Sequence, residues 1–228
     1  MSENQYKSYG QTWYVWDKTS SKKSYKSVAH QIADGLMKPE GRFKQWEGIE
    51  WLPGEEGWTV LDVGCGNGNY CPFFTDGMGM EYTGCDLSEN MLSICRENYP
   101  DSEFVRGDAT ALPFEDDEFD MVFCSDVLLH TPGEVQEAIV TELIRVARRV
   151  AVVHQRVLYE GPRVQQEWED GTIFRYEVLD DEIEWMEQID PEVEWYKRNE
   201  RNVVGEGADV FFIFRKDEEF EIEELPGW

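Results

Sequence analysis

Positive charge is in short supply. The chain carries 21 Lys and Arg against 48 Asp and Glu in 228 residues, a formal charge of −27. A surface of that sign repels phosphate backbones, which argues against DNA or RNA as a partner. No apolar run approaches the ~20 residues that cross a bilayer, so no membrane association is expected. The N-terminus is polar and has no signal-peptide core, which gives a cytoplasmic expectation. Cysteine is sparse: five residues with no Cys-x-x-Cys pair argue against a disulfide framework and suit a reducing compartment. Cys65, Cys85 and Cys124 fall at neighbouring strand ends, but without metal-ligand spacing they read as small apolar fillers, and no metal is expected. Only three histidines are present, so imidazole chemistry has few candidates. There is no internal repeat and no low-complexity linker.

Apolar residues make up 41% and aromatics 14% of the chain, enough for a packed core. The acidity is uneven. Residues 1–58 balance 8 basic against 8 acidic side chains, and seven of the nine lysines lie in the first 44 residues. A neutral, Lys- and aromatic-rich front therefore precedes an acidic body.

Periodicity divides the chain. Residues 19–37 predict a helix with Val28, Ile32, Leu36 and Met37 on one face, and 43–52 a second, ended by Pro53-Gly54. Strands are expected at 58–63, 80–86, around Phe104-Val105, at 119–124 and at 150–153. A short helix should follow Gly68. Further helices are expected from an N-cap at Ser88 to about Tyr99, from Gly133 to Arg148, and over 180–189. Residues 193–197 and 209–215 read as a closing pair of strands. Strands alternating with helices mean a doubly wound, mostly parallel sheet of the α/β class, with helices on both faces. Residues 1–57 then form a helical cap or lid, 58–215 the main domain, and 216–228 an acidic tail that frays.

Ligands in such sheets sit outside the carboxyl ends of the strands. Those ends here carry Gly64-Cys-Gly-Asn-Gly68, Asp86, Asp108 and Cys124–His130. The glycines permit a tight turn and close backbone approach, although a plain strand–helix turn would use them as well. Asp86 lies 22 residues after Gly64, a spacing that suits ribose hydroxyls. The glycine spacing is not the G-x-G-x-x-G of a pyrophosphate site.

Val60-Leu-Asp-Val-Gly-Cys-Gly-Asn-Gly68 resembles the first motif of the class I S-adenosylmethionine-dependent methyltransferases. Gly84-Cys-Asp-Leu-Ser88, Gly107-Asp-Ala109 with Leu112-Pro113-Phe114, and Phe119-Asp-Met-Val-Phe-Cys-Ser-Asp-Val-Leu-Leu-His130 resemble later stations in the same order. The likeness covers about residues 58–155, and the small-molecule branch is the nearest. It implies a Rossmann-like seven-stranded sheet with an antiparallel last strand. It also implies S-adenosyl-L-methionine as cofactor, S-adenosyl-L-homocysteine as product and a small-molecule methyl acceptor. Asp62, Gly64, Cys65 and Gly66 would hold the methionine end, with the loop carrying the backbone contacts. Asp86 would take both ribose hydroxyls, Leu87 would cover one adenine face, and Met91 joins the cofactor set. Asp108 would accept from the adenine amino group, Ala109 would donate its N–H to the ring, and Ser125 would face the methionine amino group or the methyl. A monomer or homodimer is expected.

Methyl transfer from a sulfonium needs positioning and desolvation, and a base only when the acceptor arrives protonated. His130, after the fourth strand, is a candidate base or substrate contact, or a loop residue capping the next helix. His154, ending the fifth strand, is a candidate pocket residue, or a polar residue closing that strand. His30 in the first helix is weaker. Tyr6, Tyr9, Trp13, Tyr14 and Trp16 could form a lid, or an arm packed on the body. Lys18, Lys22, Lys23 and Lys26 read as a solvated or docked face. Residues 158–200 are the variable substrate region, with Arg163, Trp168, Arg175 and Tyr176 as candidates. The fourth-strand loop lacks the Asn/Asp-Pro-Pro-Tyr run of base and amide methylation, and no Pro-Cys nucleophile is present. Aminopropyl transfer, or a cofactor-binding module without turnover, are the competing readings.

Overall fold

The computed structural model describes residues 52–159, 162–167, 173–202 and 206–217. The expected helix at 19–37, the one at 43–52 except its last residue, Leu52, which is not helical, the aromatic lid, the lysine face, His30, Trp168 and residues 218–228 lie outside the described residues.

The glycine motif starts from β1 (Thr59–Val63), a strand whose alternate residues serve two cores. Val60 faces one apolar layer and Leu61 and Val63 the other, as a parallel strand buried on both sides requires. It pairs in parallel with β2 (Glu81–Asp86) and β4 (Phe119–Ser125); β3 (Glu103–Arg106) lies outside β2, and β5 (Ala147–Leu158) beside β4. β8 (Glu194–Asn202) and β9 (Glu206–Arg215) complete seven strands in the order β3-β2-β1-β4-β5-β9-β8. Only β9 runs antiparallel to the five before it, as expected. The order reverses between β1 and β4, and that switch point opens a crevice.

Helices cover both faces. α1 (Glu89–Asn98) starts where Ser88 Oγ accepts from Met91 N and buries Leu92 and Cys95 in the first layer. α2 (Gly133–Val146) buries Ile139, Leu143 and Val146 in the second, and α3 (Leu179–Ile189) adds Met186 there.

Three expectations need adjustment. The helix after Gly68 is a five-residue π-type turn, Phe73–Gly77, seated by Phe73 and Phe74. α2 stops two residues short of Arg148, because Ala147 already pairs with Phe119 in the sheet. The fifth strand runs twelve residues, not four. Its last four, Gln155–Leu158, outrun β4 and pair with β9, and Leu158 also bridges to Val178. The chain then forms a separate hairpin, β6 (Val164–Glu167) and β7 (Ile173–Tyr176), where the sequence showed fading regularity.

Candidate active site

At the switch point lies a cavity of about 260 Å³, just under the ~300–1,000 Å³ usual for ligand clefts. Its walls come from the ends of β1, β2 and β4 and from α1: Gly64, Gly66, Asp86, Leu87, Met91 and Ser125 are among them. Ala109 and His130 line it as well.

The floor is the glycine turn. Gly64 has φ +74°, and a side chain there would start 2.2 Å from Val127 Cγ2. The turn is tied to β2 by Gly64 N and Cys65 N, which both donate to the Cys85 carbonyl at 2.7 and 3.1 Å. Gly66, at φ +55°, faces open space with nothing within 4 Å. Its N–H donates to Asp86 Oδ2 at 2.9 Å, while Ser88 N donates to Asp86 Oδ1 at 2.8 Å. One carboxylate therefore ties the turn to the N-terminus of α1. Burial raises the Asp86 pKa, opposed by the N–H groups that point at it.

Four expected residues stand outside the lining. Asp62 is buried and accepts from Tyr82 Oη at 2.7 Å. Burial lifts its pKa from 3.8 to about 7. Cys65 turns its thiol into the apolar layer, where a side chain at Gly84 would sit 2.9 Å from its sulfur, so it can serve a ligand only through its backbone. Asp108 Oδ1 accepts from Thr110 N at 3.0 Å and Thr110 Oγ1 at 2.7 Å. It closes its own turn and leaves Ala109 on the cavity wall. His154 stands behind Ser125, with Nδ1 2.8 Å from Ser125 Oγ.

Some lining residues were not singled out from the sequence. Asp126 is the main one. It holds φ +59°, and Arg156 grips its carboxylate with Nε and a terminal nitrogen, each at 3.0 Å. An Asp just past a strand end is a legible turn signal, but its Arg partner on the overhang of β5 is not. Val127 and Thr131 are also lining residues. Arg163 and Arg175, expected near the substrate, instead both approach Glu177, Arg175 at 3.2 Å, and Tyr176 is buried.

Among the described residues no three or more His, Cys, Asp and Glu side chains are grouped so as to hold a metal ion. All five cysteines are free and buried, and burial pushes the Cys85 thiol up to about 12, far from a reactive thiolate. Among the described residues no helix is long and apolar enough to cross a membrane.

Residues 60–149 match the family described as methyltransferase domain. A demethylmenaquinone methyltransferase from Renibacterium salmoninarum is 34% identical over 113 residues, covering 47% of this chain and 45% of that protein. A malonyl-[acyl-carrier protein] O-methyltransferase from Salmonella typhimurium is 32% identical over 120 residues, covering 52% and 47%. The chain thus spans less than half the length of these relatives. Among solved structures, the Burkholderia thailandensis 1,6-didemethyltoxoflavin-N1-methyltransferase, with 1,6-didemethyltoxoflavin and S-adenosylhomocysteine bound, superposes with a TM-score of 0.63. That match has 14% identity and covers 95% of this chain and 92% of that one.

Proposed function

We propose, from the match of residues 60–149 to the methyltransferase domain family, that the chain binds S-adenosylmethionine in the switch-point cleft and transfers its methyl group to a small molecule. One observation carries this reading. The Gly66 backbone has open space where a side chain would start, and the Asp86 carboxylate from the neighbouring strand lies against it. A glycine floor lets a ligand approach the main chain, and a carboxylate beside it can accept from a ribose diol.

The remaining wall fits the same ligand. Leu87, Met91 and Ala109 offer apolar surface and a backbone N–H to a planar base. Asp126 and Ser125 stand at the β4 end, and Asp62 lies buried beneath the turn. Together with Gly64 and the Cys65 backbone they form the end suited to an amino-acid group. Asp108 is assigned to holding the Ala109 turn. When bound, the cofactor supplies a methyl on a sulfonium, whose leaving group is a neutral thioether. The chain's part is to orient the acceptor and exclude water. His130, beside Thr131 on the wall, is the candidate acceptor contact.

The acidic body and the absence of base-methylation motifs support an acceptor other than nucleic acid. Free, buried cysteines suit the cytoplasm. Residues 1–57 are assigned as the cap over the cleft, and a monomer or homodimer is the expected form. Calorimetry with S-adenosylhomocysteine tests the binding. Wild type should bind and Asp86→Ala should bind at least ~10-fold more weakly, having lost the acceptor and the tie on Gly66. A wild-type chain that binds neither cofactor nor product overturns the reading. Incubation with methyl-labelled cofactor and the small-molecule fraction of a cell extract then identifies the labelled acceptor.

A further inference from the structure

The parallel register gathers polar side chains on one face of the sheet. Ser125 lies opposite His154 across β4 and β5, and His154 opposite Phe211 across β5 and β9. Asp209 is two residues along β9 from Phe211, so its side chain shares that face. The contacts follow: Ser125 Oγ is 2.8 Å from His154 Nδ1, and His154 Nε2 is 3.6 Å from Asp209 Oδ1. The imidazole stacks on the Phe211 ring at 4.5 Å and 20°. Tyr70 Oη reaches the same Ser125 hydroxyl at 3.1 Å.

Only one end of this chain of groups reaches the cavity. Ser125 lines it, whereas the His154 and Asp209 side chains are 11% and 2% exposed. Burying a carboxylate and an imidazole inside an apolar layer is costly unless each faces a partner, and here the two face each other. His154 Nε2 makes no hydrogen bond among the described residues, and its 3.6 Å approach to Asp209 is an ion-pair distance. Such contacts tighten once the ring is charged. The tautomer follows from electrostatics. A bare Nε2 lone pair facing a carboxylate is repulsive, so Nε2 carries the hydrogen and Nδ1 is left to accept from Ser125. Ser125 has one hydrogen and gives it to His154, so the Tyr70 hydroxyl, which burial keeps protonated, is left to donate to Ser125.

We infer that Ser125, His154 and Asp209 form a proton relay that deprotonates the methyl acceptor, which is therefore an O–H or N–H nucleophile. The inference rests on the methyl-transfer reading above and deepens it. The acceptor gives its proton to Ser125 Oγ as Ser125 passes its own to His154 Nδ1. The bond from the acceptor atom to the methyl carbon forms while the sulfur–carbon bond breaks, and that electron pair stays on sulfur. The proton ends on His154, as an imidazolium facing Asp209. Ser125 touches the acceptor; His154 and Asp209 act through it as positioning residues. The other titratable groups gathered around the relay are Tyr70, Tyr196 on β8, Asp126 with Arg156, and Asp62. Arg156, opposite Asp209 across β5 and β9, pairs with Asp126 and also interacts with Asp209.

Long-range ¹H–¹⁵N spectra of histidine-labelled protein test the relay directly. With three histidines in the chain, a His154→Gln spectrum assigns the signal. Neutral His154 should appear as the Nε2–H tautomer, and Ser125→Ala should move its Nδ1 resonance. With labelled donor and extract, His154→Gln and Ser125→Ala should lose ~100-fold or more in product formation. Ser125→Thr should recover most of that rate, and His154→Gln, which lies outside the cavity lining, should keep its affinity for S-adenosylhomocysteine within about threefold. Asp209→Asn should move the acidic limb of the rate–pH profile. An Nδ1–H tautomer overturns the relay whether or not the extract contains an acceptor. So does a His154→Gln rate equal to wild type from pH 6 to 9. Failure of wild type to bind the product would instead overturn the methyl-transfer reading.

Discussion

Replacing Asp62 by Asn should stabilise the fold at neutral and alkaline pH and flatten its dependence on pH. The carboxylate is 1% exposed, and its one side-chain partner is the Tyr82 hydroxyl at 2.7 Å. Burial outweighs that bond and lifts the pKa from 3.8 to about 7, with the nearby Asp86 charge adding to the rise. A folded-state pKa above the unfolded one means that the fold prefers the protonated acid. Below pH ~4 the group therefore carries no ionisation cost. The cost grows as pH rises from ~4 to ~7 and stays constant above. Each pH unit in that span is worth ~1.4 kcal/mol, so the ionised carboxylate costs the fold about 4 kcal/mol. Asn keeps an oxygen to accept from Tyr82 and has nothing to ionise. Urea unfolding followed by tryptophan fluorescence at pH 4.5, 6 and 8 measures the difference. The variant should gain little at pH 4.5, and at pH 8 its midpoint should rise by roughly 1–2 M. A variant with the wild-type pH slope and no gain at pH 8 would refute the argument that Asp62 is held as an acid against desolvation.

Two further pairs of measurements separate fold from site. Gly64→Ala forces a side chain to within 2.2 Å of Val127 at φ +74° and should cost ~2–4 kcal/mol in denaturant unfolding. Gly66→Ala meets open space, so it should cost only ~1 kcal/mol of backbone strain yet weaken S-adenosylhomocysteine binding at least as much; equal stability losses in the two variants would contradict this. Arg156→Leu removes both bonds to Asp126 and should cost about 1.5–3 kcal/mol. Amide hydrogen exchange over residues 126–131 should quicken with it, and unchanged exchange would show that the Asp126 turn holds without its Arg.

The sheet was largely legible because its signals are local. Val60-Leu-Asp-Val63 and Phe119–Cys124 are short apolar runs that end in polar or glycine punctuation, and Ser88 is an N-cap whose hydroxyl meets Met91 N. The overhang of β5 was not legible. Gln155-Arg156-Val157-Leu158 reads as polar and irregular, and it becomes strand only because β9 returns beside it. The hairpin at 164–176 depends likewise on cross-strand pairing. Asp108 shows a subtler point. A carboxylate at a strand end suits a ligand, but no sequence pattern told that one of its oxygens, Oδ1, would be taken by Thr110 two residues on.

What the sequence determined by itself is the run of elements and the place of the cleft. Strand and helix periodicities are properties of neighbours along the chain, and Gly64, Gly66 and Asp86 mark the strand ends at which a doubly wound sheet opens. Only the tertiary structure decided which polar groups meet there. Ser125, His154 and Asp209 are spread over 84 residues of chain. They share one face because β4, β5 and β9 pair in a register that puts Ser125 beside His154 and His154 beside Phe211. A slip of one residue in either pairing would send a partner to the opposite face. That register depends on the packing of both apolar layers together, so no local reading of the sequence contains it.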